Sequence, residues 1–118
     1  MRVILLSRDL MFISRVKEVA TSNQHEAFIA RSEEALQSAI SALMPEERGL
    51  LLVDLEKSPL SLERTQQVVE ALDPGAWRCI SFYSHVHVDT ATQAKERGLG
   101  EVMPRSRFVQ VLPQLFQG

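Results

Sequence analysis

The chain of 118 residues lacks the features that mark several classes of protein. Its single cysteine, Cys79, cannot form an internal disulfide, and a lone cysteine within an apolar run is typical of a reducing compartment. The net charge is only -2 and no basic run occurs, which argues against direct contact with nucleic acid or a membrane surface. The first apolar run stops before Arg8 and Asp9, too early for a signal peptide or a membrane span. We therefore expect a cytoplasmic protein.

The sequence also lacks internal repeats, low-complexity segments and linkers. Apolar residues make up 45% and charged residues 24%, which is ordinary for a soluble globular protein. A chain of this length is expected to form one domain, which spans residues 1–118. A free-standing protein and a domain excised from a longer chain both agree with these numbers, and nothing in them calls for a cofactor.

What the chain does contain is a short apolar run, residues 50–55, interrupted by one carboxylate, Asp54, and closed by Pro59. Such a run predicts a strand buried on both faces, as in the middle of a parallel sheet. Open α/β sheets carry their sites in the crevice beyond the carboxyl ends of the strands. Asp54, at that end of its strand, is therefore the first candidate site residue.

The rest of the chain alternates between predicted strands and helices. Apolar runs predict strands over 2–6, 26–30, 50–54, 77–83 and 101–103. Helical spacing of apolar residues predicts helices over 10–22, 62–72 and 90–97, one beginning after Ser32 and one after Ser106. In chain order, the first three of these five helices are each preceded by a polar residue suited to cap them, namely Asp9, Ser32 and Ser61. Five β-α units with short connections require right-handed crossovers and a parallel sheet covered on both faces.

Three features together resemble the receiver domain of bacterial response regulators, the CheY-like proteins, over essentially the whole chain. They are the apolar strand ending in Asp54, Ser84 lying 30 residues later, and the segment Gly98–Met103. The resemblance implies a flavodoxin-like (βα)5 three-layer sandwich with strand order 2-1-3-4-5. It also implies that Asp54 matches the phospho-acceptor of two-component signal transduction and phosphorelay, and that Ser84 matches the family's conserved Ser/Thr.

The acidic pair of the family departs from the pattern here. In receivers that pair follows the first strand and binds a divalent cation together with the acceptor aspartate. Ser7 and Arg8 stand at those positions, and Asp9 is displaced into a helix cap. Mg²⁺ requires several hard oxygen ligands, and only Asp54 and Asp9 are left to supply carboxylates. Arg8 is expected either to place a fixed positive charge near Asp54, as its ion-pair partner, or to be a solvated turn residue.

Two further family positions are altered. The conserved lysine falls on Arg105, or on Pro104 if the register slips by one, and the switch aromatic of the fifth strand falls on Val102. Loss of the acidic pair, the lysine and the aromatic together predicts a pseudo-receiver, a domain that keeps the scaffold without phosphoryl chemistry. We therefore expect a non-enzymatic regulatory module that binds a protein partner, with a homodimer left open.

The predicted helix over 90–97 has little apolar surface, so we expect a docking face around it, the fifth strand and the last helix. The residues predicted for this partner face are Ala91, Lys95, Val102, Arg105 and Phe108.

Three alternatives stay open. The first is an active receiver that phosphorylates Asp54 with an atypical Mg²⁺ site. The second is a small ligand-binding or enzymatic flavodoxin-like domain, but the turn over residues 7–10 has no glycine that would let the backbone approach a phosphate. The third is a metal site at His85 and His87, which has no third His or Cys nearby.

Overall fold

The computed structural model describes residues 1–84 and 88–117. In this part of the chain five strands alternate with five helices, as the sequence predicts. The strands are β1 (Arg2–Leu6), β2 (Ala27–Ala30), β3 (Gly49–Asp54), β4 (Trp77–Tyr83) and β5 (Glu101–Pro104). The helices are α1 (Leu10–Ser22), α2 (Glu33–Ser41), α3 (Leu62–Ala71), α4 (Val88–Glu96) and α5 (Arg105–Leu115).

All strand pairs are parallel, and the sheet order is β2-β1-β3-β4-β5. Val3 in β1 is in register with Ala27 on one side and Leu50 on the other. This topology confirms the predicted flavodoxin-like (βα)5 fold with order 2-1-3-4-5. Because every strand is parallel, the carboxyl ends of all five strands lie along one side of the sheet, which we call the carboxyl edge. Asp54 lies at this carboxyl edge as the last residue of β3.

Two apolar clusters, one on each face of the sheet, hold the layers together. On one face β1, β3 and β4 pack against α1 and α5, and three aromatic rings, Phe12, Phe82 and Phe108, contact one another there. On the other face Ile4, Leu51 and their neighbours pack against α2 and α3. Every residue of β3 is buried because that strand is covered on both sides, which explains its nearly continuous apolar sequence.

The predicted N-caps of the first three helices are confirmed. The side chains of Asp9, Ser32 and Ser61 each accept a hydrogen bond from the backbone N–H three residues later, at 3.0–3.2 Å. These bonds satisfy N–H groups that have no partner inside the helix. They also fix where each helix begins, and so how each strand end meets the following helix.

The predicted start of the last helix is wrong. The sequence predicts a helix that begins after Ser106, but α5 begins two residues earlier, at Arg105, and Pro104 takes its N-cap position without a side-chain hydrogen bond. The extended backbone of Pro104 leads from β5 directly into the helix. The arginine is therefore placed at the sheet edge and not in a connecting loop. None of the helices in residues 1–84 and 88–117 has the length and apolar character needed to cross a lipid bilayer.

Candidate functional site

Asp54 is buried, although it lies at the edge where the strand ends meet. From the described part of the chain its carboxylate accepts three hydrogen bonds. The Ser7 hydroxyl donates to Oδ2 at 2.9 Å, and the backbone N–H groups of Glu56 and Lys57 donate to Oδ1 at 3.2 Å each. Ser7 comes from the end of β1 and the other two donors come from the turn after β3, so the neighbouring β-α connections enclose the carboxylate.

Arg105 supplies the positive charge of the site. Its Nη2 lies 3.6 Å from Asp54 Oδ2 and 3.5 Å from Asp9 Oδ2, so one guanidinium faces two carboxylates. The guanidinium carbon lies 4.8 Å from the ring centre of Phe12, within the range of a cation–π contact. Packing on that ring holds the arginine in place, and its buried Nε has no hydrogen-bond partner among residues 1–84 and 88–117.

The pKa of Asp54 is raised above its ordinary value. Burial is the dominant cause, because an ionised carboxylate loses solvation when it leaves water. The hydrogen bonds from Ser7, Lys57 and Glu56 and the charge of Arg105 oppose this effect without overcoming it. The carboxylate is thus costly to ionise, and the surrounding donors and the cation offset part of that cost.

Asp9 connects this cluster to α1. Its Oδ1 caps the helix through the backbone N–H of Phe12, while its Oδ2 faces Arg105. The Ser7 hydroxyl accepts the backbone N–H of Asp9 at 3.1 Å and donates its own hydrogen to Asp54. Asp9, Ser7, Asp54 and Arg105 therefore form one connected polar cluster, which we call the Asp54 cluster.

Of the two roles predicted for Arg8, the structure shows the exposed residue in the connection after β1. Arg8 is exposed, and its Nε donates to the backbone carbonyl of Arg31 at 3.2 Å, at the end of the neighbouring strand β2. The cation beside Asp54 is Arg105, from the opposite end of the chain. Arg105 reaches the site because β5 delivers the chain to the same sheet edge and α5 begins at once.

Ser84 lies beside this cluster at the end of β4. Its backbone N–H donates to the carboxylate of Glu56, which ties the β3–α3 connection to the end of β4. Ser84 also lines an opening of about 500 Å³ with Pro104, Arg105 and Ser106. Glu56 was not identified as a site residue from the sequence. Its position two residues after Asp54, as a second carboxylate just beyond the buried strand, was the signal that could have identified it.

Two residues of the predicted partner face are placed in the core instead. Ala91 and Phe108 are 3% and 0% exposed, so neither is available to a partner. Both belong to the apolar stripes that hold α4 and α5 against the sheet. Because these side chains are apolar, they are buried in the core and not exposed to a partner. Lys95 is exposed, and Val102 is half-buried.

Other apolar side chains are exposed at the carboxyl edge of the sheet. Leu10 and Met11 at the start of α1 are 60% and 87% exposed, and Val88 at the start of α4 is 60% exposed. Both helices begin at the edge that carries the Asp54 cluster. These three side chains therefore place exposed apolar surface around the rim of the Asp54 cluster.

The proposed His85 and His87 pair lies outside the described residues. In residues 1–84 and 88–117, no three side chains of His, Cys, Asp or Glu come together in an arrangement that would hold a metal ion. No protein-family model, curated protein or solved structure matches the chain. The fold comes from the structure, and the resemblance to receivers stays a prediction from the sequence motifs.

Proposed function

We propose that the chain is a receiver-like signalling domain that acts by binding a protein partner and not by accepting a phosphoryl group. The observation that carries this proposal is the position of Arg105, whose guanidinium faces both Asp54 and Asp9 at 3.5–3.6 Å. These are the two carboxylates that the sequence leaves available for a metal. A fixed cation of the protein already neutralises part of their charge.

The residues around Asp54 do not fit Mg²⁺. The ion requires oxygen ligands near octahedral geometry at about 2.0–2.1 Å. Here Oδ2 of Asp54 receives the Ser7 hydroxyl hydrogen and faces the Arg105 guanidinium, while Oδ1 receives two backbone N–H groups. A metal at this carboxylate would replace hydrogen bonds and would be repelled by the arginine. No chemical step is therefore assigned to a metal.

Burial of Asp54 supports the same conclusion. A carboxylate that accepts a phosphoryl group must reach the phosphorus atom of the donor, in line with the leaving group. Asp54 is 0% exposed, and the connections after β1 and β3 enclose both of its oxygens. Attack on a donor would require these connections to open and the buried hydrogen bonds to break.

The exposed apolar residues at the rim support the partner-binding part of the proposal. Leu10, Met11 and Val88 expose apolar surface at an edge of the sheet where two helices begin. Burial of such side chains in a complex removes apolar area from water, which is the main favourable term in association. We propose that this rim contributes to the docking surface.

The proposal is tested by incubating the protein with Mg²⁺ and a small-molecule phosphodonor and measuring the intact mass. The wild-type chain is expected to keep its mass, and the Asp54→Asn variant serves as the matched control. A mass increase of one phosphoryl group in the wild type that is absent from Asp54→Asn would overturn the proposal. That result would favour the alternative of an active receiver with an atypical metal site.

A further inference from the structure

The outer edge of β2 is open. β2 is the last strand on its side of the sheet, and among the described residues its backbone makes hydrogen bonds only in its pairing with β1. The opposite edge strand, β5, ends in Pro104, and its Glu101 forms an ion pair with Arg78 of β4. Proline and charge are common protections of an edge strand, and the residues of β2, Ala27–Ala30, include neither.

An aromatic side chain is exposed on this open strand. Phe28 is 43% exposed, and it is the only aromatic residue among the large apolar side chains exposed in residues 1–84 and 88–117. It is in register with Ile4, so it lies on the face of the sheet covered by α2 and α3. A groove of about 570 Å³ runs along β2, and the small side chains Ser38, Ala39 and Ala42 form its α2 wall. The groove leaves room for a second apolar side chain next to Phe28.

The charges at the two ends of the strand have opposite signs. Glu26 precedes β2 and Arg31 follows it, and both are exposed. If a second β2 strand ran parallel to the first, like charges would lie beside each other at both ends. If it ran antiparallel, the acidic end of each strand would lie beside the basic end of the other, which is the favourable arrangement. The strand is therefore complementary to itself in one direction only.

We propose that the β2 edge binds a second copy of this chain, with the two β2 strands antiparallel. A two-fold axis perpendicular to the sheet generates this pairing and joins the two sheets into one. The axis keeps both Phe28 rings on the same face, where they form a cross-strand aromatic pair flanked by the two grooves. In this register Glu26 lies opposite Ala30 of the second copy, one residue from its Arg31, so the end charges are near neighbours and not a direct cross-strand pair. The proposal does not depend on the proposed function, because the surface lies on a different edge of the sheet from the Asp54 cluster.

The first test is sedimentation equilibrium of the full chain from about 1 µM to about 1 mM, a range that covers weak association. We expect a reversible monomer–dimer equilibrium. Phe28→Lys is expected to raise the dimer Kd roughly tenfold or more, since it replaces the central apolar contact. The control Gln93→Lys adds the same charge at an exposed residue of α4, which packs on β4 and β5 at the other side of the sheet, and it is expected to leave Kd unchanged.

Exchange of the end charges tests the direction of the strands. Glu26→Arg and Arg31→Glu are each expected to weaken the dimer, and the double variant E26R/R31E is expected to restore it, because opposite charges again meet at both ends. Both positions are on the surface, so these variants test the contact without disturbing the core. A wild-type chain that stays monomeric throughout, or a dimer indifferent to Phe28→Lys, would overturn the proposal. A double variant as weak as the single variants would overturn the antiparallel arrangement.

Discussion

Replacement of Arg105 by methionine tests the electrostatic account of the Asp54 cluster. The change removes the charge but keeps a long apolar side chain over Phe12. Coulomb's law gives roughly 1 kcal/mol for unit charges 3.6 Å apart in water and roughly 4–5 kcal/mol at an effective dielectric constant of 20. Asp54 is 1% exposed but Arg105 is 36% exposed, so solvent screens the pair and the lower part of this range applies. We expect a loss of about 1–2 kcal/mol in the free energy of unfolding at pH 7.

This loss should depend on pH in a defined direction. The pKa of Asp54 is already raised in the folded chain, and loss of the neighbouring cation raises it further. An acid with a raised folded pKa contributes most to stability when it is protonated, and that contribution falls as the pH rises through the folded pKa. The cost of Arg105→Met should therefore be largest near neutral pH and should shrink as acid protonates Asp54.

Urea unfolding at neutral and acidic pH measures both effects. Arg107→Met is the matched control, since it makes the same change at an exposed arginine in the same turn of α5, and we expect almost no loss from it. A double-mutant cycle with Asp54→Asn isolates the pairwise coupling, expected at about 1 kcal/mol. A coupling energy near zero, or the same loss at both pH values, would refute this account of the cluster.

Two further predictions concern the segment around β4 and β5. Gly100 has φ +76°, and a Cβ there would overlap the backbone carbonyl of Cys79, whereas Gly98 has φ +70° with open space around it. Gly98→Ala should lower the free energy of unfolding by about 1–2 kcal/mol and Gly100→Ala by clearly more, as measured by thermal or urea unfolding. Equal losses in the two variants would contradict the close approach at Gly100. Burial raises the pKa of the Cys79 thiol to about 11, so it should react with a thiol reagent at pH 8 far more slowly than in the urea-unfolded chain, and equal rates would show that the thiol is accessible.

The fold could be predicted from the sequence because its signals are local. Apolar runs marked the strands, and Asp9, Ser32 and Ser61 each cap a helix through their own side chains. Two helix starts were exceptions. α4 begins at Val88, two residues before its predicted start, and α5 begins after Pro104, which takes the N-cap position without a side-chain bond and so gives no capping signal. Element boundaries fail where the usual capping chemistry is absent.

The site was only partly predictable because its contacts join distant parts of the chain. Asp54 could be placed at a strand end from its own apolar run. Which arginine reaches it depends on side-chain directions across the sheet edge, and Arg8 and Arg105 are equivalent in that respect until the structure orients them. Helical periodicity correctly places Phe108 in an apolar stripe. A partner face must be exposed, however, and this stripe is buried against the sheet.

We propose that the cluster around Asp54 is occupied by the protein's own donors and cation and does not act as a phosphoryl switch. The most direct measurement is a titration of the ¹⁵N-labelled chain with Mg²⁺ and then with beryllofluoride, a mimic of the acyl phosphate, followed through the backbone amide resonances. We expect no specific shifts at Asp54, Ser84 or α4 in the folded protein. Saturable shifts at these residues, lost in Asp54→Asn, would contradict it and would show that a metal and phosphoryl site survives.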